Sequence, residues 1–171
     1  MKQLLLFISF CLSAHLYGQS VNPEEKLVLQ KVNQFFEALE KQDTVLLQSI
    51  VILDGQTTSI RTQNDSLLIR TAAFKDRMKS FVNPRSVIYE KMLSAEVKVH
   101  GRIAMAWVPY TLSINQQFNH CGIDVFTFFK TNEGWKIVFA DVEEFVVVGM
   151  LPHLALSVVE FVSKHAMCYA A

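Results

Sequence analysis

The segment His120-Cys121-Gly122-Ile123-Asp124-Val125-Phe126-Thr127-Phe128 sets two proton-carrying side chains among aromatic ones. Read as an extended strand, it puts His120, Gly122, Asp124, Phe126 and Phe128 on one face, because strand side chains alternate. A carboxylate surrounded by apolar groups loses hydration, its pKa rises, and it becomes a usable general acid or base. His120 and Asp124 are separated by about 13 Å of strand rise, so they form no hydrogen-bonded dyad by themselves. Both can line one cavity, with Gly122 leaving room between them. On the preceding strand Tyr110 or Trp107 would add a polar tip to an aromatic wall. Each of these residues also has a purely structural reading. Asp124 can pair with Arg102 or a lysine at a sheet rim, His120 can bond to backbone at a strand end, and Tyr110 and Trp107 can be core or dimer-contact residues. Asp54, in Leu53-Asp54-Gly55, reads as a turn residue.

Other chemistries are excluded or weakened by spacing. Cys121 adjoins His120, but neighbouring strand residues point to opposite faces, which argues against a Cys-His nucleophile pair. No nucleophile elbow, phosphate loop or metal triad occurs. His100, His120, His153 and His165 lack the close Cys/His spacings of a zinc site. With 16 basic and 16 acidic residues and no basic run, the chain has no electrostatic footprint for nucleic acid. A length of 171 residues, 51% of them apolar, suits one compact domain.

The elements that must position these residues follow from hydrophobic period. Asn22-Pro23-Glu24-Glu25 is a helix start, and Val28, Val32, Phe35, Phe36 and Leu39 then recur along one helical face. Gln42-Asp43-Thr44 caps a second, short helix, Val45 to about Ile50. Ile52-Leu53-Asp54-Gly55 turns into a strand near Thr57 to Arg61, and a third helix is predicted from about Leu67 to Phe81, burying Ala73, Phe74, Met78 and Phe81. From Ser86 the period becomes strand-like. One long strand runs to His100, with Val87, Tyr89, Leu93, Ala95, Val97 and Val99 apolar and Glu90, Ser94, Glu96, Lys98 and His100 on the polar face. Arg102 to Ile114, Phe118 to Lys130 and Trp135 to Val142 or beyond follow as further strands joined by tight turns. Leading helices and a trailing meander argue an α+β domain with the helices on one face of a curved sheet.

From about Glu24 to Phe145 this order resembles the nuclear-transport-factor-2-like, or SnoaL-like, superfamily of cone-shaped α+β domains. The resemblance is carried by the opening amphipathic helix with Gln42-Asp43-Thr44, by Val99-His100-Gly101-Arg102-Ile103-Ala104-Met105-Ala106, and by His120-Cys121-Gly122-Ile123-Asp124 leading through Phe126 to Glu133-Gly134-Trp135-Lys136-Ile137. It implies a cystatin-like cone, N-terminal helices on a strongly curved antiparallel sheet, around a mostly apolar pocket in which an Asp, His or Tyr of the enzymes transfers a proton. For this chain it implies Asp124, His120 and Tyr110 as catalytic candidates, with Trp107, Phe126, Phe128 and Phe36 lining the pocket and neither metal nor cofactor. One scaffold hosts many activities. Three functions are therefore expected in order: a domain that binds an apolar small molecule or a partner without turnover, as a homodimer through the sheet; a cofactor-free lyase or isomerase; and a structural subunit with a filled cone.

The two ends read differently. Lys2, the uncharged apolar stretch Leu4 to Leu16 and the small or polar residues to Ser20 read as a signal peptide over 1–20, and hence export to the periplasm or outside the cell. Cys11 follows bulky Phe10, which argues against a lipid anchor. Cys121 and Cys168 remain after processing; an oxidising compartment would permit a bond, and two separate thiols is the preferred reading. The domain proper is taken as 21–148. The extension 149–171 continues an apolar run from Phe145 to Val159 that Gly149 and Pro152 interrupt, which argues against a membrane span and for a short helix with Leu154, Val158, Phe161 and Val162 on one side.

Overall fold

The computed structural model describes residues 22–63, 66–81 and 87–145, so the expected leader 1–20 and the extension 149–171 lie outside the described residues. Helix α1, Pro23–Lys41, starts where Asn22 accepts a hydrogen bond from the Glu24 amide at 3.0 Å and Pro23 occupies the first turn. It buries Val28, Val32, Phe35, Phe36 and Ala38, a stripe at helical spacing. Gln42, in the left-handed region at φ 52°, ends it. Asp43 then caps α2, Thr44–Ile50, by accepting from the Val45 and Leu46 amides at 3.0 and 2.9 Å. Asp43→Ala should cost about 1 kcal/mol, read as a lower urea midpoint with unchanged slope.

Among the described residues seven strands form one sheet of order β2-β1-β7-β6-β5-β3, in which β4 also pairs with β5. They are β1 Val51–Gln63, β2 Ser66–Ala73, β3 Ile88–Met92, β4 Glu96–His100, β5 Ile103–Ile114, β6 Gln117–Thr131 and β7 Gly134–Phe145. The α+β cone is as expected, but the sheet is mixed. β1 runs parallel to β7 while every other pairing is antiparallel. The early β1 must return beside the last strand to close the site's second wall, and that junction has no turn to reveal it in sequence.

Two further expectations are corrected. Residues 67–73, read as the start of a helix, form β2, which pairs with β1 from Gln56↔Ala73 to Gln63↔Ser66. Helix is confined to α3, Phe74–Arg77, and one 3-10 turn, Met78–Phe81. The single long strand from Ser86 is two strands. Four steps from Met92 to Glu96 answer three from Tyr110 to Trp107 on β5, so one extra residue reverses which parity faces inward. Val97 and Val99 point inward from β4, yet Glu90 and Met92 do so from β3.

The core lies between α1, α2 and the concave face. Phe126 meets Phe35 and Phe36 edge-on at 4.9 and 6.3 Å between centroids, and Phe128, Ile137 and Val108 are fully buried beside it. At the cone's narrow end Glu24 accepts from Trp135 Nε1 at 2.8 Å and pairs with Lys130 at 2.7 Å, tying the start of α1 to β6 and β7. The convex face carries Ile103, Met105, Trp107, Phe129 and Phe139, each about 40% exposed or more.

Candidate functional site

Toward its wide end the cone is hollow. A cavity of about 360 Å³ lies between α1, α2, α3 and the sheet, with Phe35, Leu39, Leu47, Phe74, Ala140 and Val142 supplying its apolar surface. Its polar groups come from facing positions of adjacent strands. Tyr110 on β5 is opposite Gly122 on β6, which is opposite Glu144 on β7, which is opposite Arg61 on β1. His120, Leu112 and Glu90 form the row on one side, and Asp124, Val142, Ser59 and Arg70 the row on the other.

The deepest feature is a pair of acids. The Asp124 carboxyl is buried and hydrogen-bonds that of Glu90. Asp124 Oδ2 is sealed from solvent with no partner outside that pair among the described residues. Two ionised carboxylates have no donor between them, so the pair must hold a proton. Burial, then the Glu90 charge and its hydrogen bond, raises Asp124 far above the ordinary carboxylate range. Burial pushes Glu90 up to about 7, against the opposing effect of its bond to Asp124. At neutral pH the two carboxyls therefore share a proton and titrate as a pair.

The second polar unit is Tyr110 with His120. Tyr110 Oη is 3.1 Å from His120 Nε2, and His120 Nδ1 is 2.8 Å from Asn119 Oδ1. With the amide oxygen of Asn119 as acceptor, Nδ1 carries the hydrogen and Nε2 accepts from the tyrosine. Burial lowers the His120 pKa, with Arg61 assisting and Glu144 opposing, so the ring is neutral near pH 7. Burial raises that of Tyr110, and the charges of Asp124, Glu90 and Glu144 add to it, so the hydroxyl stays a donor.

Asp124, His120 and Tyr110 thus line one cavity, in two hydrogen-bonded pairs. Asp124 pairs with neither Arg102 nor a lysine; its partner is a second acid. Trp107 does not line the cavity. It is 42% exposed on the convex face, because it is three residues from Tyr110 and so of opposite strand parity. Phe36 on α1 and Phe126 and Phe128 beneath it are core residues rather than lining, and Phe35 reaches the cavity in place of Phe36. Asp54 is in strand β1, exposed, with Lys75 at 2.6 Å. Cys121, on the face away from His120, is buried and disulfide-bonded rather than a separate thiol, and the question of Cys168 falls outside the described residues. Glu90, Glu144, Arg61, Arg70 and Arg77 line the cavity without having been singled out in the sequence. Among the described residues, no three His, Cys, Asp or Glu side chains are grouped to hold a metal ion.

Residues 23–140 match the model of a family described as "Putative lumazine-binding". No curated protein matches the chain significantly. Among solved structures, a protein of unknown function with a cystatin-like fold from Nostoc punctiforme is 13% identical, covers 78% of this chain and 98% of its own, and has a TM-score of 0.58. A protein named as a putative dehydratase of the NTF2-like family from Streptomyces avermitilis is 16% identical over 72% of this chain and 96% of its own, at 0.55. The CaMKII hub of S. rosetta is 13% identical over 73% and 98%, at 0.59. At these identities the likeness is one of fold.

Proposed function

The chain belongs to this lumazine-binding-like family of nuclear-transport-factor-2-like domains, and from that premise we propose that it is an exported domain that binds a small, largely apolar molecule in its cone. The observation that carries the reading is the cavity. It is lined by side chains from three helices and six strands, is mostly apolar, and at about 360 Å³ falls in the lower part of the range of small-molecule sites. The cavity favours this reading over a filled cone, as a purely structural subunit would have. The leader-like residues 1–20 support export, and the apolar convex row Ile103, Met105, Trp107, Phe129 and Phe139 supports a homodimer through the sheet.

The test is native mass spectrometry of the purified protein, followed by thermal-shift screening of a small-molecule library. A copurifying molecule, or a stabilising compound, is expected with the wild type. Both should vanish in Val142→Phe, whose ring would project into the cavity while circular dichroism stays unchanged. If nothing copurifies and no compound raises the melting temperature, the reading fails.

A second reading, proton transfer without a cofactor, is favoured by one observation: Glu90 faces the cavity with a pKa pushed up to about 7. A group poised near the working pH suits general acid or base chemistry. In this reading Glu90 exchanges the proton with the substrate, and Asp124 tunes it. Tyr110 is engaged with His120, so the oxyanion role expected of it would need that hydrogen bond to be exchanged.

A further inference from the structure

Three guanidiniums line the same cavity, and they cluster on one wall. Arg61 is on β1 and faces Leu68 of β2; Arg70, two residues along β2 on the same face, is opposite Ser59. Arg61 and Arg70 are therefore diagonal neighbours, within reach of one another's long side chains. Arg77 comes over from α3 and donates through Nε to Thr57 Oγ1 at 3.0 Å, the next inward position of β1 after Ser59. The charges run in a line along β1, across the cavity from the Glu90–Asp124 pair.

At Arg61 and Arg70 the balance of charge is incomplete. Glu144 approaches Arg61, but at 3.9 Å, far longer than the 2.7–2.9 Å of a charge-assisted hydrogen bond. Arg70 has no ion-pair partner among the described residues and is exposed. Across the cavity, the Asp124 and Glu90 carboxyls share a proton, so the opposing wall supplies fewer charges than its residue types suggest. Guanidiniums present planar, fixed donor forks suited to carboxylate and phosphate oxygens, and three of them beside an apolar floor form a site with a sign.

We propose that the ligand is an aromatic anion: a flat apolar body against Phe35, Phe74 and Val142, with its carboxylate or phosphate held by Arg61, Arg70 and Arg77. This rests on the cavity being a ligand site, and goes beyond it by naming the ligand's charge and which wall reads it. Glu144 is the internal competitor for Arg61, which the anion displaces or joins.

The experiment is isothermal titration of the full chain with three probes: 2-naphthoate, its neutral amide 2-naphthamide, and 2-naphthyl phosphate. At least one of the two anions should bind ten-fold or more tightly than the amide, and the tighter of the two identifies the anionic group. Arg70→Gln, an exposed change that leaves the core untouched, should remove most of that preference without altering the amide's affinity. Glu144→Gln should strengthen the anion several-fold. If the amide binds as well as both anions, or if Arg70→Gln and Arg61→Gln leave the preference intact, the charge assignment is wrong while the cavity reading stands. If none of the three binds and Val142→Phe changes no ligand response, both fail together.

Discussion

Glu90→Gln will make the protein's stability less sensitive to pH between about 4.5 and 8 and will stabilise it at the alkaline end. The wild-type Glu90 carboxyl is raised from 4.5 to about 7 by burial. A folded-state pKa above the unfolded value means that the folded chain binds more protons than the unfolded chain across that interval. Stability contributed this way is fully present below pH 4.5 and is lost as pH rises through 7. The shift corresponds to roughly 3 kcal/mol between the two ends of the window. Asp124, also raised by burial, adds to the same slope. His120 works in the other direction. Its folded pKa is lowered, so the stability tied to its neutral form is lost as pH falls below 6.5. The difference between wild type and Glu90→Gln isolates the Glu90–Asp124 pair, because His120 is present in both and Glu90 itself helps to raise Asp124. Urea unfolding at pH 5, 6.5 and 8 should show that difference growing in the variant's favour with pH. Parallel curves would mean that Glu90 is hydrated and that the two carboxyls do not share a proton. Asp124→Asn keeps a donor toward Glu90 and should be near wild type at neutral pH. Asp124→Ala leaves the Glu90 carboxylate without it, at a cost of about 1–3 kcal/mol.

The inward face of β6 was legible in the sequence because one unbroken alternation covers His120, Gly122, Asp124, Phe126 and Phe128. The α1 stripe was legible for the same reason, at the helical period. Glu90 was not. It shares the parity of Glu96 and Lys98, and only the extra residue between β3 and β4 sends it inward while they remain outside. A one-residue bulge has no reliable composition signal, and it moves a whole strand's side chains to the other face. The arginine wall was hidden by a different effect. Arg61 and Arg70 come together through pairing of β1 with β2, and the Leu67-Leu68-Ile69 run shows no alternation that would mark it as a strand. Aromatic neighbours mark Asp124 in the sequence, nothing marks Glu90, and the chemistry depends on the two together. Trp107 cannot share the cavity with Tyr110, because three residues of strand separate them and strand parity points it outward.

Replacing Gly122 will damage this protein more than removing any polar group of the site. Gly122 is opposite Tyr110 on one side and Glu144 on the other, at the centre of the sheet. A Cβ added there would stand 2.7 Å from both Tyr110 Oη and Cε1, and closer still to the Glu143 carbonyl oxygen. The gap between His120 and Asp124 is therefore no open space for a ligand: the Tyr110 ring lies across it. This packing brings the hydroxyl to His120 Nε2 and keeps the residue almost wholly buried. The two obstacles differ in kind. The tyrosine ring can swing aside at the cost of its hydrogen bond and its packing, whereas the carbonyl belongs to the β6–β7 ladder and cannot move without breaking pairing. Gly122→Ala should cost about 3 kcal/mol or more, at the upper end of overpacking penalties, with reduced soluble yield. Tyr110→Ala combined with Gly122→Ala separates the obstacles. Relief of the ring contact should appear as a favourable coupling of about 1 kcal/mol in a double-mutant cycle, while most of the Gly122→Ala loss persists because the backbone contact remains. Full recovery in the double variant would show that the ring alone forbids a side chain there and that β7 can yield. A Gly122→Ala protein as stable as wild type would mean that Tyr110 does not lie over β6, and that the Tyr110–His120 pair is not built into the site.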